Sequence, residues 1–117
     1  MDKKDLANAH TFDIKFDAPS GESFSGKFTV HRPTIGERIK IGVSEARELG
    51  GMINVDMLTS NLAHILSTLE VVIDASPAWW KPRELTEMEV MQIVYDKYIS
   101  YLQEFQGEPG KKPEATG

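Results

Sequence analysis

Three histidines, one acid set among apolar residues and a tryptophan pair are the side chains of this sequence with the most chemical potential. General-base or metal chemistry needs convergent groups, such as a histidine beside a carboxylate or two ligands one helical turn apart. His10, His31 and His64 fall in an N-terminal arm, at a strand end and in a helix, and none stands at ligand spacing from another. Each therefore reads as a solvated or hydrogen-bonded side chain. Pro33-Thr34-Ile35-Gly36-Glu37-Arg38 opens a helix but lacks the glycine pattern and the lysine of a phosphate-binding loop. Glu84, Glu87 and Glu89 crowd a helix start, where they oppose the dipole favourably with no chemical role. Glu70 lies in an apolar helical stretch, either as a buried base or, the better fit, as a solvated residue or a partner for Arg or Lys. The chain has no cysteine, which removes thiol nucleophiles, disulfides and thiolate metal sites. These residues predict no catalytic, cofactor-binding or metal-binding set, and a protein that is not an enzyme.

Binding side chains are better represented. Pro77-Ala78-Trp79-Trp80-Lys81-Pro82 holds both tryptophans between two prolines, a corner too rigid for an idle linker. Adjacent tryptophans do not easily enter one small core together, so one packs between helices and the other lies near the surface. There it either caps the helices or meets a partner, a frequent role of exposed Trp. Tyr95, Tyr98 and Tyr101 cannot all share a narrow helical stripe, so at least one should reach the surface. Trp79, Trp80, Tyr95, Tyr98 and Tyr101 are the candidate partner-binding residues.

The elements that must position them follow from hydrophobic period. Phe12, Ile14 and Phe16 alternate with polar residues, a turn-rich stretch follows, and alternation resumes at Phe24, Gly26, Phe28 and Val30. This predicts a hairpin over 11–31, with Phe16 opposite Phe24 and Phe12 opposite Phe28, whose aromatic face packs on the domain's own helices or whose edge serves assembly. Thr34 and Glu37 have capping-box spacing for a helix over 35–49, with Ile35, Ile39, Gly42 or Val43, Ala46 and Leu49 inward, and Gly50-Gly51 ending it. A second helix, about 56–75, starts at Asn54 or Asp56 and carries Leu58, Leu62, Ile65, Leu66, Leu69, Val72 and Ile73. A third, about 87–106, has the same box at Thr86 and Glu89 and an apolar face from Val90 to Phe105. The fold class is α+β, mainly α: an N-terminal two-stranded β-hairpin followed by a three-helix bundle, one domain over 11–106. Residues 1–10 read as a flexible arm and 107–117 as a disordered tail.

A net charge of −5 with no compensating basic stripe argues against nucleic acid or an anionic membrane as the partner. No eighteen apolar residues run together and the N-terminus lacks a signal-peptide core, so a cytoplasmic protein is expected.

Phe28-Thr29-Val30-His31-Arg32-Pro33-Thr34-Ile35-Gly36-Glu37-Arg38-Ile39 and Asn61-Leu62-Ala63-His64-Ile65-Leu66-Ser67-Thr68-Leu69-Glu70-Val71-Val72, with the Trp79-Trp80 corner through Leu85 and Val94-Tyr95-Asp96-Lys97-Tyr98, resemble the tail assembly chaperones of long-tailed bacteriophages. The resemblance runs from the second strand to the end of the last helix. It implies a small, mainly helical protein of the host bacterial cytoplasm, made during infection or from a prophage and absent from the mature virion. It also implies a partner, the long helical tape measure protein, held soluble until tail tube subunits polymerise. Tail tube protein and a second copy of the chain, through the hairpin edge, are further expected partners. A structural tail or neck component of the virion, or a small adaptor domain unrelated to phage, are the alternatives.

Overall fold

A computed structural model describes residues 9–52 and 55–104. Strands β1 (His10–Asp17) and β2 (Ser23–Val30) form the antiparallel hairpin in the register expected, with Phe12 opposite Phe28 and Phe16 opposite Phe24. The alternation has the physical effect it signals: Phe12, Ile14, Phe28 and Val30 are buried on one face, while Asp13 and Lys27 form an ion pair on the other. Gly21, at φ +100°, makes the turn.

The sheet has three strands, not two. Helix α2 (Met57–Val72) stops short of the expected boundary, and the next residues form β3 (Ile73–Ala75), antiparallel to β2, with Val30 opposite Ile73 and Thr29 opposite Ala75. The His31 N–H donates to the Val72 carbonyl at 3.0 Å, so the end of the helix passes directly into the ladder. Helical periodicity carries over into Ile73, but this β-branched residue satisfies its backbone better beside the open edge of β2.

Helix α1 (Ile35–Glu48) has the expected capping box: the Glu37 N–H donates to Thr34 Oγ1 at 3.1 Å, and the Thr34 N–H to Glu37 Oε1 at 2.9 Å. Gly50 and Gly51 take positive φ beyond its end. Asp56 caps α2, accepting from the Thr59 N–H; Asn54 lies outside the described residues, as do residues 1–8, Phe105 and the expected tail. Helix α3 (Met88–Gln103) departs from expectation at its start. Its N-cap is Glu87, with no side-chain cap hydrogen bond, and the Thr86–Glu89 box does not form. A 3-10 turn (Pro82–Glu84) delays the helix, so Glu89 is the second helical residue instead of the third and cannot reach back from the required position. The Glu87 carboxylate instead accepts from Ser20 Oγ at 3.0 Å, tying the helix start to the hairpin turn.

The helices do not close into a bundle around a common core. The connected hydrophobic core is drawn from β1, β2, α2 and α3, and among the described residues takes no side chain from α1. A cleft of about 320 Å³, lined by Ile41, His64, Tyr95 and Tyr98 among others, lies between α1 and α3. The molecule is thus α+β: a three-stranded sheet packed on α2 and α3, with α1 laid against α2.

The contrast between the two capping sites is measurable. Thr34→Ala should lower unfolding free energy by about 1 kcal/mol, whereas Thr86→Ala should change it by less than about 0.5 kcal/mol, both read from urea denaturation.

Candidate partner-binding surfaces

The tryptophan corner is built onto the sheet. Pro77 lies against Gly26, leaving no space there for a Cβ, which is why the alternating strand carries glycine at this point. The Trp79 Nε1–H donates to the Ser25 carbonyl at 2.9 Å, and its ring meets Phe24 and Phe28 edge-on at 5.2 and 5.9 Å. Trp80 stands perpendicular to Phe28 at 5.1 Å. Both indoles are half-buried against the core, so the corner closes over the aromatic face of the hairpin.

The tyrosines divide. Tyr98 and Tyr101 are only 2% and 3% exposed; burial pushes the Tyr98 phenol up to about 12, and His10 stacks on Tyr101 at 4.7 Å. Tyr95 is half-buried, edge-on to His64 at 6.2 Å. Tyr95 and Tyr98 line the cleft between α1 and α3, while Trp79 and Trp80 lie on the sheet. The five aromatic residues therefore do not make one surface.

The apolar surface is elsewhere. A groove of about 360 Å³ runs between α2 and the start of α3, floored by Leu62, Ala63, Leu66 and Met91 and edged by Leu85 and Met88. It shares Leu62, Met88 and Met91 with a hollow of about 250 Å³ that adds Leu58 and Ile65. Leu58 and Met88 are exposed at the lip, and Glu48, Glu87, Glu89 and Arg83 stand around the rim. Unbranched methionines let such a surface accommodate different apolar shapes.

A second apolar surface was assigned to the core by sequence. Ile35, Ile39 and Val43 form one stripe on α1, as their spacing predicts, but it faces outward at 80%, 64% and 52% exposure. Only Ile41 of the helix is buried. The inward side is polar: Ser67 Oγ donates to Ser44 Oγ at 3.1 Å, His64 Nδ1 lies 3.0 Å from Glu45, and Arg83 pairs with Glu48. Periodicity identifies which residues share a face, but not which face turns inward. Arg83 also donates from Nε to Glu70 at 2.9 Å, so the acid in the apolar stretch is an exposed ion-pair partner.

His31 joins three elements. Its Nδ1 lies 2.9 Å from Asp74 of β3 and its Nε2 3.0 Å from Glu37 in the first turn of α1. With both ring nitrogens engaged, the imidazole is held in place between carboxylates. Burial pulls its pKa down, but hydrogen bonds and charge from Asp74 and Glu37 outweigh this and raise it above the ordinary value. Glu37 is held below the ordinary carboxylate range, first by the Thr34 N–H and then by His31. Among the described residues, no group of three or more acids and histidines has an arrangement suited to a metal ion, and no helix is long and apolar enough to cross a membrane.

No protein-family model matches the chain, and neither the curated proteins nor the solved structures contain a match.

The His31 clamp has a definite pH dependence. A pKa raised on folding means that the native state takes up the proton more readily, so the stabilisation is complete below the unfolded histidine value of about 6.5 and is lost as pH rises through the folded value. Wild type should exceed His31→Gln in urea-denaturation stability most clearly near pH 5.5, with the difference shrinking toward pH 8. A difference that grew with pH would reverse the assignment.

Proposed function

We propose that this chain is a non-catalytic tail assembly chaperone, binding the tape measure protein of a long-tailed phage or prophage in the host cytoplasm and keeping it soluble before the tail tube polymerises. The observation that carries this reading is the methionine-edged groove between α2 and α3, open to apolar segments. A long helix-rich protein without its tube exposes such segments, and an amphipathic helix in an apolar groove is a recurrent mode of protein recognition. The family resemblance of the second-strand, second-helix and tryptophan-corner motifs supports the same reading. The chaperone departs before the virion matures.

In this reading Leu62 and Met88 contact the partner directly, while Trp79 and Trp80 pack on the aromatic face of the sheet and Tyr98 and Tyr101 belong to the core. Tyr95, at the α1–α3 cleft, is the candidate tyrosine with the most accessible ring.

Coexpression of the tagged chain with the long helical product of the neighbouring tape measure gene should recover a soluble complex, where the partner alone is insoluble. Met88→Glu, at an exposed position, should weaken recovery about tenfold or more while leaving the thermal midpoint within a few degrees. Recovery of the chain in purified particles, with no soluble complex, would assign it to the virion instead.

A further inference from the structure

The charges of α1 are sorted by face. Its three acids, Glu37, Glu45 and Glu48, are engaged by His31, His64 and Arg83. Its three bases, Arg38, Lys40 and Arg47, are exposed and form no salt bridge among the described residues. Along the outer face, Ile35, Ile39 and Val43 recur every four residues, with Lys40 and Arg47 bordering them on one side and Arg38 on the other. The helix is amphipathic in the opposite sense from one that serves only its own core: polar and ion-paired inward, apolar and basic outward.

We propose that this outer face of α1 docks a single amphipathic helix of a partner protein, one whose apolar stripe is bordered by carboxylates. Three branched side chains one turn apart make the ridge that helix-on-helix packing requires, and the bases on both borders supply partners for acids on the incoming helix. A second copy bound through the same face would set Arg38, Lys40 and Arg47 against their own kind, with the α1 acids already engaged inside each domain. The net charge of −5 opposes an anionic lipid surface or a nucleic acid as the occupant. The inference rests on the chaperone reading for the identity of the partner, a segment of the tape measure protein, but not for its chemistry. It also separates two surfaces: the groove accepts apolar segments, and α1 selects acidic-edged ones.

The test uses the full chain and two labelled synthetic helices with the same leucine stripe, one flanked by Glu and the other by Lys, followed by fluorescence anisotropy. The Glu-flanked helix should bind saturably and lose affinity with added salt, and the Lys-flanked helix should bind at least about tenfold more weakly. Ile39→Glu should weaken the Glu-flanked helix by about tenfold or more, and the pair Lys40→Glu with Arg47→Glu should reverse the preference. These positions are exposed, and circular dichroism melts check that each variant folds. Equal binding of both helices, binding of neither, or indifference to Ile39→Glu would overturn the proposal. So would a dimer in sedimentation velocity, or cosedimentation with phosphatidylglycerol vesicles, that Ile39→Glu abolishes; the first would assign the face to self-association and the second to a membrane. If the peptides behave as expected while the tape measure protein is not retained, the chaperone reading fails and the docking face stands.

Discussion

The packing of Phe28 is the contact on which the rest of the arrangement depends. Fully buried, it stacks on Phe12 across the hairpin at 5.7 Å and receives the edges of Trp79 and Trp80. An isolated hairpin is marginal in water, and its aromatic face is what makes it part of the domain. Bringing the tryptophans back over that face requires Pro77 to lie on Gly26, so the second half of the chain is anchored to the first at a point where no side chain intervenes. The same return places the 3-10 turn and Arg83 beside α2 and the end of α1, where the guanidinium meets Glu70 and Glu48. A packing event in the sheet thereby positions one of the ion pairs that hold α1, Arg83 with Glu48.

Two kinds of attachment follow from this. The sheet, α2 and α3 are joined by burial of large apolar side chains, each worth about 1.5–3 kcal/mol when fully removed from water. Helix α1 is joined by Ile41, a hydroxyl pair and ion pairs at partly exposed positions, and such pairs contribute only about 0–1 kcal/mol each. Its attachment is therefore the weaker of the two, and in a domain of this size the weakest element opens first. The His31 clamp offsets part of that weakness by fixing the first turn of α1 to the β3 side of the sheet. A helix attached through polar contacts also has its apolar residues left over for something else, which gives the exposed stripe of Ile35, Ile39 and Val43 its physical significance.

Periodicity and turn chemistry by themselves determined the hairpin and its register, three helices to within a few residues at their starts, the capping box at Thr34 and the αL glycines after α1. These are local properties, set by spacing of two or 3.6 residues and by side chains that reach their own backbone. Tertiary structure alone decided the third strand, the loss of the Thr86 box and the orientation of α1. β3 exists because β2 has an open edge close to the end of α2. The second box fails because a 3-10 turn shifts the helix start by one residue. α1 turns its polar side inward, where His31, His64 and Arg83, all placed outside the helix, hold its three acids, and it leaves three branched side chains facing out. The groove between α2 and α3 and the outer face of α1 depend on these long-range choices. Periodicity grouped Leu58, Leu62, Ile65 and Leu66 on one helix face and Ile35, Ile39 and Val43 on another, both as core; their place on a surface came only with the fold, because spacing does not say what packs against a face.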